Sequence, residues 1–331
     1  MPIQVLPDFY CLQIPLPNNP LKYLNSYVIK GESRSLVVDT GLNRKECYDA
    51  LTRGLESLGI SLDSVDFFLT HMHPDHSGLV PELKGEGTTI YCSIEDAEII
   101  NTPIDWGRML QYALACGIPE SEIEKFAQGQ SIKYGPKGVL DFTHVHDADR
   151  LCINGYEFVC ISTPGHTRGH MCLYEPENSL LIAGDHILQE ITPNIAQWEE
   201  NTNPLRQYLA SLDKISEYAV DQVLPGHRTP VFDMQKRIAE IRKHHQDRLQ
   251  ELIQVFDTKP ETPYQLASKI KWDLSYTAWE DIPLAQKTFA TTEALAHLTY
   301  LQERGLVEFE HKDGKYLYFP KTNSWRDIGL N

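Results

Sequence analysis

The amino-acid sequence predicts an α/β domain followed by a small α+β domain. Short apolar segments alternate with helix-like segments over the first two thirds of the 331 residues, which is the pattern of an α/β fold. Four of the apolar segments run directly into histidine or aspartate residues. Ligands bind at the carboxyl ends of strands in α/β folds, so these segments predict a site at one edge of a sheet. Helices and then a hairpin signal follow near the C-terminus.

The N-terminal elements are predicted to be short strands and one helix. Residues 27–29 and 36–38 are β-branched runs separated by a Gly-Glu pair, which is typical of a hairpin. The second run ends at Asp39, and helical periodicity follows over residues 46–58, just before a glycine. Residues 65–70 form a further apolar run that leads into a histidine cluster. We therefore expect a strand to deliver that cluster.

The later part of the chain shows an insertion and a boundary. Residues 94–146 form a long insertion, for which two interpretations stay open: a helical hairpin packed on the core, or a lid that shapes a substrate pocket. A long charged helix is predicted over residues 233–256, and two proline-containing pairs then mark a boundary. We assign residues 1–255 to the α/β domain and residues 256–331 to a small winged-helix-like domain.

The C-terminal segment carries the signals of a winged-helix module. Thr262 can cap a helix that has a proline at its first position, and residues 291–303 form a second helix-like stretch. The Asp-Gly pair at 313–314 lies between two β-like runs and predicts a hairpin. From residue 255 onwards the chain carries nine basic and eleven acidic residues, a balance that disfavours a DNA-reading surface.

Composition and charge restrict the class of protein. Hydrophobic residues make up 41% of the chain, which is enough for a sizeable core, and the net charge of −16 opposes binding to phosphate backbones or anionic membranes.

The seven cysteines are scattered and never spaced as CxxC, which predicts a reducing compartment without a disulfide framework. No apolar run approaches the roughly 20 residues that span a bilayer, and the first residues lack a secretory-signal pattern. We therefore expect a cytoplasmic protein that does not contact membranes.

The strongest chemical signal is the segment HMHPDH at residues 71–76. Alternate residues that leave a strand project in the same direction, so His71 and His73 can share one metal ion. Asp75 and His76 then face a neighbouring position as the chain turns. This segment alone predicts a metal site.

Three later motifs each place one ligand-type residue after a short strand and a glycine. They are TPGHT at residues 163–167, AGDH at residues 183–186 and PGH at residues 225–227. Glycine lets the backbone approach a site closely. The combined histidine and aspartate set lacks thiolates, so it suits zinc, iron(II) or manganese and argues against a structural zinc site.

These motifs, in this order, resemble the metal-binding signature of the metallo-β-lactamase-fold hydrolases. The resemblance covers roughly residues 23–230. The chain looks like a bacterial branch of this superfamily that carries a C-terminal winged-helix-like segment. That branch is similar in layout to the lactamase-beta-like protein 2 group and, more distantly, to glyoxalase II. It implies a four-layer αβ/βα sandwich with two metal ions at one edge. The ions are expected to be zinc, with iron(II) or manganese as alternatives.

The resemblance also implies a division of the ligands between the two ions. The first ion takes His71, His73 and His166, the second takes Asp75, His76 and His227, and Asp185 bridges both. Asp75 and Asp185 are the expected catalytic residues, with Asp75 orienting the nucleophile and carrying a proton. Asp39 matches an aspartate that supports the site from behind the ligands.

The implied reaction is a hydrolysis in which a metal-bridging hydroxide attacks a small ester-like substrate, namely a thioester, a lactone or a related acyl compound. A metal-dependent nuclease or phosphodiesterase acting on single-stranded RNA is the alternative, although the sequence shows no cluster of basic residues for a phosphate track. A non-enzymatic winged-helix regulator is a further alternative. The substrate's identity and a homodimeric assembly stay open.

Several other polar residues have two interpretations. Either they contact the pocket, or they are structural or solvated side chains; they are His144, His146, Arg168, His170, His186, His244 and His245.

Overall fold

The computed structural model of the chain describes residues 1–127, 135–257, 259–273, 276 and 278–321. Contacts divide the chain into two units, which interleave along the sequence. Unit 1 consists of Met1–Pro103, Gln130–Pro193 and Ser211–Ile238, and unit 2 consists of Ile104–Gly129, Asn194–Ala210 and Ala239–Asn331. The domain boundary between residues 255 and 256 stays a prediction.

A seven-stranded sheet opens unit 1, with its strands in chain order. The strands are β1 (Ile3–Leu6), β2 (Phe9–Pro15), β3 (Tyr23–Ile29), β4 (Ser35–Val38), β5 (Val65–Phe68), β6 (Ile90–Cys92) and β7 (Thr143–His144). The pairs from β1 to β4 are antiparallel, and those from β4 to β7 are parallel. The parallel half carries the first histidine cluster at the end of β5.

A five-stranded sheet completes the strands of unit 1, in the order β12-β11-β10-β9-β8. The strands are β8 (Arg150–Ile153), β9 (Tyr156–Ser162), β10 (Met171–Glu175), β11 (Leu180–Gly184) and β12 (Gln222–Pro225). Only the β11–β12 pair within this sheet is parallel. The neighbouring parallel strands therefore end side by side, at Gly184 and Pro225.

Ten α-helices, two short 3₁₀ helices (Leu62–Ser64 and Trp279–Asp281) and one hairpin make up the other regular elements of the described residues. The helices are α1 (Lys45–Ser57), α2 (Pro74–Ser77), α3 (Val80–Leu83), α4 (Ile94–Asn101), α5 (Trp106–Ala115), α6 (Glu120–Ala127), α7 (Pro204–Ser216), α8 (Met234–Gln254), α9 (Pro263–Ala267) and α10 (Leu284–Glu303), and the hairpin joins β13 (Val307–Lys312) to β14 (Lys315–Pro320). Among the described helices, none has the length and apolar character needed to cross a membrane.

The two sheets of unit 1 pack face to face, with helices on the outside. Leu36 and Val38 of β4 point into the core between the sheets, which also contains Phe158 of β9. Val37 points the opposite way, into a second core that includes Leu51 of α1. Successive residues of a strand therefore point into different cores. Because both cores are buried, the strand is apolar at every position and does not alternate with polar residues. The sandwich predicted by the resemblance is confirmed.

Unit 2 contains the predicted C-terminal helices and hairpin. Thr262 caps α9 in a capping box with Gln265, as the sequence predicts for the helix start. The predicted second helix begins earlier than expected, at Leu284, and the hairpin turns at Asp313 and Gly314, both with positive φ. The winged-helix assignment stays a prediction, and residues 322–331 of that predicted domain lie outside the described part of the chain.

The predicted insertion at 94–146 is divided between the two units. Its helix α4 and strand β7 belong to unit 1, whereas α5 and α6 belong to unit 2. Residues 128–134 of this insertion lie outside the described part. Neither the lid interpretation nor the packed hairpin is tested.

Candidate metal centre

Four strand ends of unit 1 bring the sequence motifs together. The HMHPDH segment follows β5, TPGHT follows β9, and Asp185 and His227 follow the adjacent ends of β11 and β12. Because parallel neighbours end at the same edge of a sheet, Asp185 and His227 are delivered side by side. The structure places all seven predicted ligands in one cluster of donor atoms.

Three imidazoles form the first donor set. His71 Nε2 lies 2.9 Å from His73 Nδ1, and His166 Nε2 lies 3.0 Å from the same atom. Burial, reinforced by the neighbouring imidazole of His166, lowers the pKa of His73 to about 3, and burial likewise lowers the pKa of His71. His71 and His73 are therefore neutral, and each has a lone pair available for a cation.

Two imidazoles and a carboxylate form the second donor set. His76 Nε2 lies 3.3 Å from His227 Nε2, and Asp75 Oδ2 lies 3.4 Å from His227 Nε2. Burial opposes ionisation of Asp75, but His76 and His227 outweigh it and hold the pKa of this carboxyl below its usual range. Burial alone would lower the pKa of His76, but the three carboxylates around it raise that pKa well above its ordinary value.

Asp185 lies between the two sets. Its Oδ1 is 3.6 Å from both His76 Nε2 and His227 Nε2, and its Oδ2 is 3.6 Å from His166 Nε2. Oδ1 is buried and has no hydrogen-bond partner among the described residues. Burial opposes the charge on Asp185, yet the surrounding imidazoles hold its pKa well below the usual range. A buried carboxylate without hydrogen bonds at Oδ1 is suited to binding cations.

The ring nitrogens that face away from the centre fix the tautomers. His76 Nδ1 lies 2.7 Å from Asp39 Oδ2, and His227 Nδ1 lies 2.9 Å from the Tyr23 carbonyl oxygen. Both partners only accept hydrogen bonds, so each Nδ1 donates, and in the neutral form of each ring Nε2 presents a lone pair. The nearby carboxylates raise the pKa of both histidines, so a cation bound between the two Nε2 atoms, 3.3 Å apart, would take the place of a proton.

His71 is oriented by a hydroxyl in the same way. Thr70 Oγ1 donates to Asp39 Oδ2 at 2.7 Å and therefore accepts from His71 Nδ1 at 3.0 Å. The lone pair of His71 Nε2 is then directed toward the donor atoms of His73 and His166, the other two members of the first donor set. Asp39 occupies the supporting position predicted for it.

Two glycines allow the motifs to approach one another. A Cβ atom on Gly226 would lie 2.8 Å from Asp185 Oδ1 and 2.9 Å from His76 Cε1. A Cβ on Gly184 would lie 2.7 Å from Thr70 Oγ1, and Gly184 has a φ of +47°. A side chain at either position would displace donor atoms or their supports.

The donor set fits divalent metal ions. Three groups of ligand atoms lie within 4.8 Å of one another: His71, His73 and His166; His71, His76 and Asp185; and Asp75, His76 and His227. Tetrahedral zinc with zinc–nitrogen bonds of about 2.05 Å needs nitrogens about 3.3 Å apart. The observed nitrogen separations of 2.9–3.3 Å are close to that value.

The other candidate histidines fall into structural or solvated positions. His170 is buried, and its Nε2 accepts from the Asp185 backbone N–H at 3.1 Å, while its Nδ1 faces Thr163 Oγ1 at 2.8 Å. His186 is buried beside His170, with the ring centroids 6.0 Å apart. His144, His146 and Arg168 are exposed.

His245 belongs to unit 2, where its Nδ1 lies 3.1 Å from His297 Nε2. Its neighbour His244 packs edge-on against it, with ring centroids 5.3 Å apart. Both histidines lie on α8, as the helical pattern predicts.

The sequence reasoning missed two groups around the centre. The Tyr23 carbonyl orients His227, and Asp96, inside the predicted insertion, contacts the loops after β5 and β9. The pattern Ser93-Ile-Glu-Asp96 is a recognisable helix-start signal, and Ser93 does cap α4. That signal locates the helix but not the loops that its aspartate contacts.

Comparison with known proteins agrees with this centre. A family profile described as "Metallo-beta-lactamase superfamily" matches residues 21–227. The probable metallo-hydrolase YqjP of Bacillus subtilis is 25% identical over 74% of this chain and 79% of its own length. The beta-lactamase-like protein 2 homolog of Caenorhabditis elegans is 26% identical over 89% and 85%, respectively. An atrochrysone carboxyl ACP thioesterase of Aspergillus aculeatus is 25% identical over 66% of this chain and 55% of its own length.

Solved structures show the same fold. The metallo-beta-lactamase family protein TTHA1429 of Thermus thermophilus is 30% identical, with a TM-score of 0.82 over 96% of this chain and 100% of that protein. A beta-lactamase domain protein of Burkholderia ambifaria is 24% identical, with a TM-score of 0.77 over 96% and 94%, respectively. The fold, the profile match and the donor set agree, and the chain therefore belongs to the metallo-beta-lactamase superfamily of metal-dependent hydrolases.

Proposed function

We propose that this chain is a dinuclear hydrolase of a small ester-like substrate, namely a thioester, a lactone or a related acyl compound. The observation that carries the dinuclear proposal is the position of Asp185, with one carboxylate oxygen 3.6 Å from the nitrogens of the second donor set and the other 3.6 Å from His166. The thioesterase name of the Aspergillus aculeatus relative supports an acyl substrate.

We propose seven ligands in two groups that share one residue. The first group is His71, His73 and His166, the second is Asp75, His76 and His227, and Asp185 bridges them. Zinc is the metal we propose, because imidazoles and carboxylates without thiolates suit catalytic zinc; iron(II) and manganese are the alternatives. When bound, these ions supply Lewis acidity and lower the pKa of water toward neutrality.

The chain's own residues then have separate tasks. Asp75 is the more exposed of the two aspartates, with 16% of its side chain accessible, against 10% for Asp185. Its lowered pKa keeps it ionised near neutral pH, so it can orient an attacking water through a hydrogen bond, and its position makes it our candidate to receive the proton of that water. Asp39 and the Tyr23 carbonyl hold the two histidines of the second set in one tautomer.

An RNA-cleaving nuclease is the second candidate, because the same donor set suits phosphodiester hydrolysis. The net charge of −16 opposes it, since single-stranded nucleic acid is held by basic grooves.

The free cysteines, six of the seven buried, support our proposal of a reducing, cytoplasmic location.

A hydrolysis panel tests the proposal. Zinc-loaded and metal-stripped protein are each given an acyl thioester, a simple lactone and a single-stranded RNA. We expect turnover of the thioester or lactone by the loaded protein alone, restored when zinc is added back. Metal-dependent cleavage of the RNA with both acyl substrates intact would replace the ester proposal with the nuclease.

A further inference from the structure

Asp96 is a buried carboxylate that lies outside the seven proposed ligands. It occupies the first turn of α4, behind the N-cap Ser93, and it is 0% exposed. Its Oδ2 accepts from the Met72 backbone N–H at 2.8 Å and from Thr167 Oγ1 at 2.7 Å. Its Oδ1 accepts from the Gly169 backbone N–H at 2.8 Å. All three donors come from two loops that are distant in sequence.

Those two loops carry the first donor set. Met72 lies between His71 and His73, and Thr167 directly follows His166. The carboxylate therefore holds together two segments whose histidines approach to 3.0 Å at His73 Nδ1 and His166 Nε2. A change in the distance between the loops would change this separation.

We propose that Asp96 is a positioning residue that sets the spacing between the loop of His71 and His73 and the loop of His166, and through it the metal affinity of the first donor set. This inference rests on the proposed function, because it assumes that these histidines bind a metal ion. Outer partners of metal ligands typically change affinity by about 10- to 100-fold when they are replaced.

The packing around Gly169 shows that the second loop rests directly on α4. A Cβ atom on Gly169 would lie 2.1 Å from Ser93 Oγ and 2.8 Å from Asp96 Oδ1. Contacts this close leave no room for a side chain, so the loop backbone itself is in contact with the helix start. The helix start that carries Asp96 is therefore a direct packing partner of this loop.

The same loop also contacts Asp185, the residue that carries the proposed bridging carboxylate. His170 follows Gly169, and its Nε2 accepts from the Asp185 backbone N–H at 3.1 Å. A shift of the loop would reach Asp185 as well as His166. We therefore expect the loss of Asp96 to affect the first donor set most and the bridging position next.

Asp66 offers a matched control. It is also a buried aspartate, 7% exposed, and accepts a backbone N–H, that of Thr89 at 2.7 Å, together with the Arg34 guanidinium. It lies near the start of β5, whereas the histidine cluster follows the end of that strand. Asp66→Asn should therefore cost stability without changing metal affinity.

The experiment compares Asp96→Asn with Asp66→Asn and the unchanged protein. An asparagine amide oxygen can accept on one side only, while its NH₂ group faces an N–H donor on the other. Zinc release to a competing chelator is followed without substrate, the ligand-field spectrum is recorded with cobalt(II), and thermal melts are measured on metal-free protein. We expect Asp96→Asn to bind one of two zinc ions about 10- to 100-fold more weakly and to alter the cobalt spectrum.

Each outcome is decisive. If Asp96→Asn changes only the melting temperature, as Asp66→Asn does, with zinc release and the cobalt spectrum unchanged, the positioning role is wrong. If the unchanged protein binds neither metal, the proposed function fails and the inference fails with it. Should Asp96→Asn not fold, Thr167→Val deletes one of the three hydrogen bonds. If Thr167→Val binds one of the two zinc ions more weakly than the unchanged protein, by a smaller factor than expected for Asp96→Asn, the inference is supported. Unaltered zinc affinity overturns it.

Discussion

His76 Nδ1 and Asp39 Oδ2 lie 2.7 Å apart, and both residues are buried. Asp39 follows the last residue of β4 with a φ of +61°, a left-handed conformation that aspartate tolerates better than most residues. From there its carboxylate also accepts from the Thr70 backbone N–H at 2.9 Å and from Thr70 Oγ1 at 2.7 Å. One side chain thereby orients His76 directly and His71 through Thr70.

Replacing Asp39 with asparagine should weaken metal binding. In one rotamer the amide NH₂ would face the His76 Nδ1–H and the Thr70 hydroxyl, and in the other it would face the Thr70 backbone N–H. Either rotamer loses a hydrogen bond that orients His76 or that fixes the side chain at position 39. We expect about 10- to 100-fold weaker zinc binding, measured by competition titration, with the larger effect on the second ion. Wild-type affinity for both ions would show that the observed hydrogen bonds do not tune the centre.

Replacing Asp75 with asparagine should reduce turnover. The amide cannot accept a proton, and general base catalysis typically contributes about 10²- to 10⁴-fold. We expect kcat for the active acyl substrate to fall by at least that factor. The first zinc ion should be retained, and the second should bind more weakly because Asp75 is one of its proposed ligands. Asp49→Asn, at an exposed ion pair with Lys45, is the control and should keep full turnover. A kcat within threefold of the control for Asp75→Asn, about the precision of such a comparison, would exclude the proton-transfer role.

Gly226→Ala should disrupt the centre sterically. The new Cβ would lie 2.8 Å from Asp185 Oδ1 and 2.9 Å from His76 Cε1, so proposed ligands of the second ion must move. Misplacement of reacting groups by about 1 Å can cost about 100-fold in rate. We expect a loss of that order in kcat/KM and less than two zinc ions per chain by elemental analysis. Gly107→Ala, where the new Cβ would lie 3.4 Å from Asp105 Oδ1, should change neither quantity.

The site could be predicted to the extent that its residues are local to strand ends. HMHPDH is contiguous, and His166, Asp185 and His227 each follow a short apolar run and a glycine. Such signals need no knowledge of the tertiary structure, because the sheet edge brings strand ends together. The two-sheet sandwich, by contrast, was implied by the family resemblance that these motifs carry and not by the strand signals themselves.

Apart from Asp39, which the resemblance supplied, the supporting groups could not be predicted, because their signals are not local. Asp96 is 24 positions from Met72 and more than 70 from Thr167 and Gly169. Two of its three partners are backbone N–H groups, which every residue except proline carries, so no residue type marks them. The Tyr23 carbonyl that orients His227 is hidden for the same reason.

Glu293 should make the stability of unit 2 depend on pH. Burial raises the pKa of this carboxyl to about 7 from an ordinary 4.5, against the opposing pull of Arg248 and a hydrogen bond from Asn194. Between these two values the unfolded chain releases a proton that the folded chain retains, so stability falls as the pH rises from 4.5 to about 7 and then levels off. The difference corresponds to about 3 kcal/mol.

Glu293→Gln should remove this dependence, because the amide carries no charge and its oxygen can still accept from Asn194. Urea unfolding of metal-free protein at pH 5 and pH 8 is the measurement, with Glu303→Gln on the exposed end of the same helix as the control. We expect the wild type and the control to lose stability between these pH values by up to about 3 kcal/mol more than Glu293→Gln. An identical loss in all three proteins would mean that Glu293 ionises in the folded chain as it does in the unfolded one.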